Sequence, residues 1–563
     1  MSILGNSLTI PHLLGERVRA SGDKPALHFK QEGTFVSRTW REVAEDVSAI
    51  ASALAAAGIQ PQDRVVQLAE NRHDWVLCDL AIGEAAAVHV PIHAPLTGPQ
   101  IVWQIVDSGA KLAFVSTPTQ LAKLIPHAAE LPADLVFVLQ DDVPPSPTPF
   151  RVLTWREFLA GAGSATRNSA SEPKLTPSSL ATILYTSGTT GEPKGVMLTQ
   201  GNLMSNAVAT VAAFRADDEV PRADYSDQLR LNFLPLSHIF ARTCDLYCWL
   251  VEGSQLAIAQ SRETVLADAA VTRPTCINGV PYFYDKLQRG LVEKGLANQA
   301  GILRLVLGGR IEHCCSGGAA LPDHLFDFFQ SQGVPLLQGY GLSESSPVIT
   351  ISTARHSRRG SAGRAIPGVE VRIADDGEIL TRGPHVMAGY YKNPAATADV
   401  LRNGWLLTGD YGRIDDEGYV YITGRKKEIL VTAGGKNIAP VLLESLLTQD
   451  PLIAQALVIG DGRNYLSALI VPSGDALAAE LAAQNIVLPS GEPVSSHPQV
   501  LALYQSRINS RLSVVSSYEQ IRKITLLPRP FSLEAGELTP KLSLRRKVIE
   551  ANFAEEIEAM YQK

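Results

Sequence analysis

The stretch YTSGTTGEPKG, residues 185–195, gathers hydroxyl side chains, glycines and one lysine within eleven residues. Glycines let backbone amides approach a ligand closely, hydroxyls donate hydrogen bonds, and lysine adds a positive charge, so the loop suits a phosphate. It is not a Walker loop, because two residues rather than four separate Gly188 from Gly191, and Gly195 follows Lys194. By composition alone, a phosphate-binding loop and a surface turn stay equal alternatives.

A second segment, LLQGYGLSESSPV (residues 336–348), carries three side chains suited to a nucleotide. Tyr340 offers a flat face for adenine, and Ser343 offers a hydroxyl for the α-phosphate. Glu344 offers a hard oxygen ligand for Mg²⁺. The segment is therefore a candidate nucleotide and metal site.

Two further segments fit the same chemistry. In GWLLTGDYGRIDDEGYVYITGRKKEIL (404–430), the carboxylate of Asp410 suits the two ribose hydroxyls, and Arg425 suits ribose or phosphate. The glycine pair in CCSGGAALP (314–322) would let adenine or an acyl group approach the backbone. The structural alternative for residues 404–430 is a solvated charge run. For residues 314–322 it is a strand-to-helix turn.

The elements that must hold these residues are predicted from hydrophobic periodicity. RVVQLAE and KLAFVS are typical of buried strands, whereas WVLCDLAIGEAAA and GPQIVWQIVDSG are typical of helices. Such alternation predicts an α/β fold of helix-covered, mostly parallel sheets. The pattern changes near residue 422, where short strands, a hairpin turning at Asp461-Gly462 and several helices predict a small α+β unit.

Length and composition exclude several classes. A chain of 563 residues is too long for one hydrophobic core, and we expect a large domain at 1–425 and a small one at 426–563. The net charge of −7 argues against a nucleic-acid partner. No segment predicts a membrane span or a secretory signal. The six cysteines form no CxxC pair, which favours buried thiols of a cytoplasmic protein over a zinc site.

The order and content of these segments, beginning with YTSGTTGEPKGVMLTQGNL, resemble the adenylate-forming superfamily. This superfamily includes acyl-CoA and aryl-CoA synthetases, luciferases and adenylation domains. The segment LNFLPLSHIFART (231–243) and the ending LTPKLSLRRKVIEANF resemble long-chain fatty acyl-CoA synthetases in particular. The resemblance implies a large N-terminal α/β domain with a β-subdomain, and a small mobile α+β C-terminal domain.

The resemblance also implies roles for individual residues. The residues expected to bind ATP or AMP are Thr186, Ser187, Gly188, Thr189, Thr190, Gly191, Lys194, Gly318, Ala319, Gln338, Gly339, Tyr340, Gly341, Ser343, Asp410, Ile422 and Arg425. The expected catalytic residues are Thr186, His238, Glu344 and Lys541, and Thr186 and Glu344 are the expected Mg²⁺ ligands. Lys427 is the expected hinge, and Gly434, Gly435 and Lys436 are the expected CoA-binding residues.

Two positions depart from the family pattern. These synthetases often carry Glu before Arg242, where this chain has Ala241. Aligning ELTPKLSLRRKVIEANF with the family places Ser543 where a catalytic lysine is expected, and Lys541 lies two places earlier. Two residues of extended chain span ~6.6 Å, which a lysine side chain can largely cover, so we favour Lys541 as the substitute. Loss of the lysine function and a merely solvated Lys541 are the alternatives.

The expected function is ATP-dependent ligation of a medium- to long-chain fatty acid to CoA through an acyl-adenylate. The expected partners are thus fatty acid, ATP, CoA and Mg²⁺. One alternative is transfer of the acyl group to a carrier protein. Another is a degenerate protein that binds nucleotide or acyl-adenylate with impaired adenylation. Peripheral contact with the inner face of the membrane and a homodimer are further open expectations.

Overall fold

The computed structural model describes residues 9–141, 148–164, 175–186, 193–217, 222, 224–426, 428–484, 486, 495, 497–532, 534–538 and 544–562. Its strands, in chain order, are β1 (Pro25–Gln31), β2 (Thr34–Thr39), β3 (Arg64–Ala69), β4 (Val88–His93), β5 (Leu112–Val115), β6 (Val136–Leu139), β7 (Val152–Thr154), β8 (Leu180–Thr186), β9 (Lys194–Thr199), β10 (Leu229–Asn232), β11 (Gln255–Ile258), β12 (Cys276–Gly279), β13 (His313–Ser316), β14 (Leu336–Gly341), β15 (Val348–Ile351), β16 (Arg364–Ala365), β17 (Glu370–Ile373), β18 (Glu378–Arg382), β19 (Gly389–Tyr390), β20 (Leu401–Arg402), β21 (Trp405–Ile414), β22 (Val420–Arg425), β23 (Leu430–Val431), β24 (Asn437–Ile438), β25 (Ile453–Ile459), β26 (Leu466–Pro472) and β27 (Ile521–Leu526).

The helices alternate with these strands as the sequence predicted. In chain order they are α1 (Ile10–Ser21), α2 (Trp40–Ala56), α3 (His73–Glu84), α4 (Gly98–Ser108), α5 (Pro118–Ala122), α6 (Trp155–Ala160), α7 (Gln200–Asp217), α8 (Ile239–Ala241), α9 (Cys248–Glu252), α10 (Val265–Thr272), α11 (Pro281–Glu293), α12 (Ile302–Val306), α13 (Asp323–Ser331), α14 (Pro394–Val400), α15 (Pro440–Thr448), α16 (Gly474–Ala483), α17 (Pro498–Arg511), α18 (Arg546–Asn552) and α19 (Ala554–Tyr561). Within the described ranges, no helix combines the length and the apolarity needed to cross a membrane.

Two large, mostly parallel sheets dominate the first part of the chain. One has the strand order β19-β9-β8-β4-β3-β5-β6-β7, and the other has the order β16-β15-β14-β13-β12-β10-β11-β1-β2. In each sheet the central pairs are parallel and the edge pairs near β9 and β15 are antiparallel. Strands such as β3 are buried along nearly their whole length, because helices cover both faces of a parallel sheet. The α/β fold class is confirmed.

Smaller sheets complete the fold. An antiparallel sheet joins β17, β18, β21 and β20, with β22 paired to β21, and it forms the predicted β-subdomain. Near the C-terminus, β25, β26 and β27 form a three-stranded sheet flanked by α15 to α19. The predicted hairpin is β25 with β26, and Gly462 in its turn has φ +65°, a conformation that glycine adopts without steric cost.

Buried hydrophobic side chains form separate clusters along the chain. Among the described residues, four clusters contain only residues up to Ile422, and two contain only residues from Leu430 onward. Each cluster therefore lies wholly on one side of the segment that leads from β22 to β23.

A π-helical turn, Arg242–Tyr247, lies between α8 and α9 and carries two buried ionisable side chains. Arg242 is 1% exposed, forms an ion pair with Asp79 of α3, and donates to Thr182 of β8 at 2.8 Å. Burial raises the pKa of Asp79, but the charge of Arg242 and hydrogen bonds with His89 and Tyr247 together outweigh burial, and the pKa is lowered. These contacts attach the π turn to the sheet that contains β8.

The second buried ionisable side chain of the turn, Asp245, faces the other sheet. Its carboxylate accepts hydrogen bonds from Asn232 of β10 at 2.8 Å and from Asn278 of β12 at 2.5 Å. Burial raises the pKa of Asp245 to about 7, and the hydrogen bond from Asn232 limits the rise. One turn of helix thus joins both large sheets through side chains three residues apart.

We predict that Arg242→Ala lowers the free energy of unfolding by about 3–5 kcal/mol, because it leaves Asp79 charged and buried without its partner. Arg38→Ala is the control, since Arg38 and Glu42 form an exposed pair at 3.7 Å whose loss costs about 1 kcal/mol or less. Urea unfolding followed by tryptophan fluorescence measures both. Equal unfolding midpoints for the two variants would contradict the assigned role of Arg242.

Candidate active site

The hydroxyl- and glycine-rich loop connects two antiparallel strands. Thr186 ends β8, Lys194 begins β9, and the two residues lie directly opposite each other in the sheet. The Thr186 hydroxyl donates to the Lys194 carbonyl at 3.4 Å. Ser187, Gly188, Thr189, Thr190 and Gly191 lie outside the described residues. The described ends of the loop therefore bring a hydroxyl and an ammonium group to its base.

A short chain of contacts joins Lys194 to Glu344. The Lys194 ammonium lies 4.9 Å from the ring centroid of Tyr390, and the Tyr390 hydroxyl donates to Glu344 Oε1 at 2.8 Å. Burial is the largest cause that raises the pKa of Tyr390, with Glu344 adding to it, so the hydroxyl stays protonated and remains a donor. Tyr390 thus links the predicted phosphate-binding lysine to the predicted metal ligand.

Backbone hydrogen bonds fix the relative position of these groups. The Met387 amide donates to the Glu344 carbonyl at 2.9 Å, and the Tyr391 amide donates to the Gly195 carbonyl at 2.7 Å. Between them, β19 pairs with β9. The segment from Met387 to Tyr391 consequently holds Glu344 beside the strand that begins with Lys194.

The strand β14 carries Gln338, Gly339, Tyr340 and Gly341. A Cβ atom on Gly341 would lie 1.7 Å from the Pro347 carbonyl oxygen, so only glycine fits there. Ser343 and Glu344 follow in a single 3₁₀ turn, Ser343–Ser345, at the end of this strand. The close approach at Gly341 allows the chain to fold back immediately after β14.

Tyr340, Asp410 and Arg425 form a compact group. The Tyr340 hydroxyl donates to Asp410 Oδ2 at 2.8 Å, and Arg425 Nε lies 3.0 Å from Asp410 Oδ1. Asp410 and Arg425 are direct partners in the pairing of β21 with β22, and Ile422 lies on the same β22 strand. Burial raises the pKa of Asp410, and Arg425 and Tyr340 oppose the rise.

The contacts within this group add to the role that the sequence predicted for Tyr340. Only 9% of Tyr340 is exposed, and its hydroxyl orients the Asp410 carboxylate. Each Asp410 oxygen already has one partner, and each retains a second lone pair to accept from a hydroxyl. The proposed ribose contact of Asp410 is compatible with this geometry.

The segment after β13 is open to solvent. Gly318 has φ +80° and is exposed together with Ala319 and Ala320, which suits a surface for a flat ligand. A Cβ atom on Gly317 would lie 3.0 Å from the ring of Phe240, so this glycine lets α8 approach. The predicted adenine border is therefore accessible.

His238 is the N-cap residue of α8, and its Nδ1 accepts a hydrogen bond from the Phe240 amide at 3.3 Å. This capping contact gives His238 a structural role in addition to the catalytic role that the sequence predicted. Ala241 and Arg242 follow directly, and Arg242 is buried in the π turn. Ala241, at the position where the family resemblance led us to expect an acidic residue, is buried.

The predicted C-terminal site residues are only partly described. Lys427, Lys541 and Ser543 lie outside the described residues. Lys426 contacts Asp376 Oδ2 at 2.7 Å and Glu378 Oε2 at 2.9 Å, which attaches the start of this region to the β-subdomain. Leu538 and Leu544 form an antiparallel bridge on either side of the Lys541 segment.

The predicted CoA-binding residues occupy an exposed turn. Gly434, Gly435 and Lys436 lie between β23 and β24, and Gly435 has φ +72°. The Lys436 ammonium lies 5.5 Å from the ring centroid of Tyr518. The strands beside this turn have two residues each, in keeping with the short strands predicted for this part of the chain.

The structure thus brings together Thr186, Lys194 and Glu344 in one group, and Tyr340, Asp410 and Arg425 in another. Sequence reasoning missed Tyr390, which connects the first group. Its only signal is an aromatic pair after a glycine in MAGYY, a weak pattern without its partners.

Comparisons with known proteins show the family of this chain. Residues 14–391 match the family model described as AMP-binding enzyme, and residues 427–563 match the AMP-binding enzyme C-terminal domain. The long-chain-fatty-acid–CoA ligase FadD15 of Mycobacterium bovis is 34% identical over 94% of this chain and 93% of its own length.

Two solved structures share the fold. The A domain of carboxylic acid reductase from Segniliparus rugosus, solved with AMP and a carboxylic acid, has a TM-score of 0.79 at 22% identity, covering 98% of this chain and 94% of that one. The anthranilate CoA ligase AuaEII, solved with anthranoyl-AMP, has a TM-score of 0.78 at 20% identity, covering 99% of both chains. The two family models and the 34% identity show that this chain belongs to the AMP-binding enzymes, the adenylate-forming family that its motifs resemble.

Proposed function

We propose that this protein is an ATP-dependent ligase that joins a medium- to long-chain fatty acid to CoA through an acyl-adenylate. The observation that carries the first half-reaction is the contact chain from Lys194 through Tyr390 to Glu344 at the base of the hydroxyl-rich loop. The fatty acid and CoA are supported by the similarity to the long-chain-fatty-acid–CoA ligase FadD15, which is 34% identical over 94% of this chain.

In the first step, an oxygen of the fatty acid carboxylate attacks the α-phosphorus of ATP. The bond from that phosphorus to the bridging oxygen breaks, and pyrophosphate leaves. Lys194 would bind the phosphates by its charge, while Ser187, Thr189 and Thr190 would donate hydrogen bonds. Asp410 and Arg425 would hold the ribose, and Gly318 and Ala319 would border the adenine. No protein nucleophile is needed.

Mg²⁺ is the expected metal, and the side chains of Glu344 and Thr186 fit it. Glu344 supplies a carboxylate already oriented by the Tyr390 hydroxyl at 2.8 Å, and Thr186 supplies a hydroxyl at the base of the loop. Both are hard oxygen donors of the kind that Mg²⁺ prefers together with substrate phosphates. When bound, the ion would neutralise charge on the phosphates.

In the second step, the CoA thiol, as thiolate, attacks the acyl carbonyl carbon, and the bond to AMP breaks. We propose that residues 1–425 bind ATP and the acid, and that residues 426–563 form a small domain that pivots at Lys427. The separate hydrophobic clusters and the family models that end at 391 and begin at 427 support this division. Gly434, Gly435 and Lys436 would then meet the pantetheine arm, and His238 would lie near the thiol path.

The proposal predicts that fatty acids of medium to long chain release pyrophosphate from ATP, and that acyl-CoA forms when CoA is present. A panel of acids from short to long chain, assayed with and without CoA, measures both steps. Pyrophosphate release without thioester formation, rescued by a carrier protein, would favour the carrier-protein alternative. Absence of pyrophosphate release with every acid would favour the degenerate nucleotide-binding alternative. Peripheral membrane contact and a homodimer stay predictions.

Tyr390→Phe tests the contact chain in the described part of the site. We expect about tenfold slower pyrophosphate release at saturating ATP, because a hydrogen bond to a charged group is lost and Glu344 loses its orientation. Tyr391→Phe is the matched control, since its hydroxyl makes only a 3.4 Å contact with the Ser108 carbonyl. If both variants keep the rate of the unmodified protein, Tyr390 does not position Glu344.

Lys541→Ala tests the proposed substitute lysine. We expect acyl-adenylate formation to fall at least tenfold, because a positive charge near the α-phosphate is lost. Lys547→Ala is the control, because Lys547 is an exposed lysine six residues further along. Thioester formation from supplied acyl-adenylate and CoA should be unaffected in both variants. Unchanged pyrophosphate release in Lys541→Ala would show that this lysine is not used.

A further inference from the structure

Two cysteines and a histidine that the proposed mechanism does not use meet on neighbouring strands. Cys276 begins β12 and lies opposite His313, the first residue of β13. Cys315 lies two residues further along β13, and residues two apart on a strand share a face. One ligand atom from each of Cys276, His313 and Cys315 lies within 4.8 Å of the other two.

We propose that Cys276, His313 and Cys315 form a binding site for a thiophilic d¹⁰ cation, Zn²⁺ or Cu⁺. Two sulfur ligands and one imidazole are a donor set that both ions favour. The six cysteines form no CxxC pair, and for this reason the sequence predicted buried thiols and no zinc site. That reasoning missed a cluster whose members come from different strands.

The strand geometry favours a bridging ion over a disulfide. Neighbouring strands lie about 4.8 Å apart and two residues rise about 6.6 Å, so the Cα atoms of Cys276 and Cys315 are roughly 8 Å apart. A disulfide requires Cα atoms closer than about 7 Å. A cation at about 2.3 Å from each sulfur spans a wider gap without moving either strand.

The surroundings of the site are suited to thiolate ligands. Cys276 is 4% exposed and Cys315 is 7% exposed, so both sulfurs are shielded from water and from oxidants. An Arg230 guanidinium nitrogen lies 3.9 Å from Cys276 Sγ, but Glu252 neutralises its charge with contacts at 3.0 and 3.1 Å. A cation held by two thiolates is therefore not opposed by an unpaired positive charge at Arg230.

The surroundings of His313 fix the orientation of its ring and leave the site accessible to an ion. Its ring stacks on Phe214 of α7 with centroids 5.2 Å apart and an interplanar angle of 20°. Packing that fixes a ligand ring in this way increases metal affinity. His313 is only partly buried, which leaves a route for the ion and for a water as fourth ligand. Because β13 continues into Gly317 and Gly318, an ion here would fix two strands that lead to the proposed adenine border.

The test uses the full-length protein, reduced and freed of metal with a chelator. Co²⁺ serves as a spectroscopic probe for the zinc arm, and Cu⁺ with a competing chromophoric chelator, without oxygen, serves for the copper arm. We expect one equivalent of metal ion per protein molecule to bind in the zinc arm, the copper arm or both. Bound Co²⁺ should give a thiolate-to-metal absorption band that Zn²⁺ removes.

Matched variants assign the ligands. Cys276→Ser and Cys315→Ser should each weaken binding about a hundredfold or more, since each removes a direct ligand. Cys314→Ser is the control, because Cys314 is buried on the opposite face of the same strand and should leave binding unchanged. Circular dichroism checks that each variant is folded.

X-ray absorption of the unmodified protein loaded with one equivalent of Zn²⁺ or Cu⁺ decides the outcome if a serine variant does not fold. Two sulfurs and one nitrogen around the ion are expected. The proposal is overturned if neither ion binds stoichiometrically, if the ion has no sulfur neighbours, or if Cys276→Ser and Cys315→Ser bind as tightly as Cys314→Ser. None of these measurements depends on ligase activity.

Discussion

The arrangement of the large sheets depends on one turn of π-helix with two buried ionisable side chains. Arg242 pairs with Asp79 and binds Thr182 on one sheet, while Asp245 binds Asn232 and Asn278 on the other. A buried charge is tolerated only when it is paired and hydrogen-bonded, so neither sheet can shift without breaking these contacts. A π turn adds one residue to the helical repeat, and such turns are frequent at functional sites. Here it directly follows α8, the helix that His238 caps.

The candidate active site is built at strand ends by contacts that no single segment contains. Glu344 is held by the Met387 amide and the Tyr390 hydroxyl, and Tyr390 also packs against Lys194. Positioning by a separate segment fixes the carboxylate in advance, which lowers the cost of reorganisation when charge develops on a phosphate. Asp410 is held in the same way, by Tyr340 on one oxygen and Arg425 on the other.

The sequence predicted the fold class and the order of strands and helices well, because long apolar runs such as β3 and periodic helices such as α4 can be recognised from local sequence. Motifs longer than any one element also singled out Lys194, Glu344, Tyr340, Asp410 and Arg425, which the structure brings into two groups; their nucleotide roles stay predictions. The sequence did not predict Tyr390 or the Cys276, His313 and Cys315 cluster, because both depend on which strands become neighbours. Nor did it predict that the Tyr340 hydroxyl would bind Asp410, since the partners are 70 residues apart.

The separation of the hydrophobic clusters has a consequence for how the chain loses its structure. No cluster of buried side chains among the described residues joins the part before Ile422 to the part after Leu430. Cooperativity in unfolding comes from shared cores, so the two parts are expected to melt as separate calorimetric units. Stability of this protein is then described by two transitions rather than one. A destabilising change in β25 or β26 can release the C-terminal part while the large sheets stay folded.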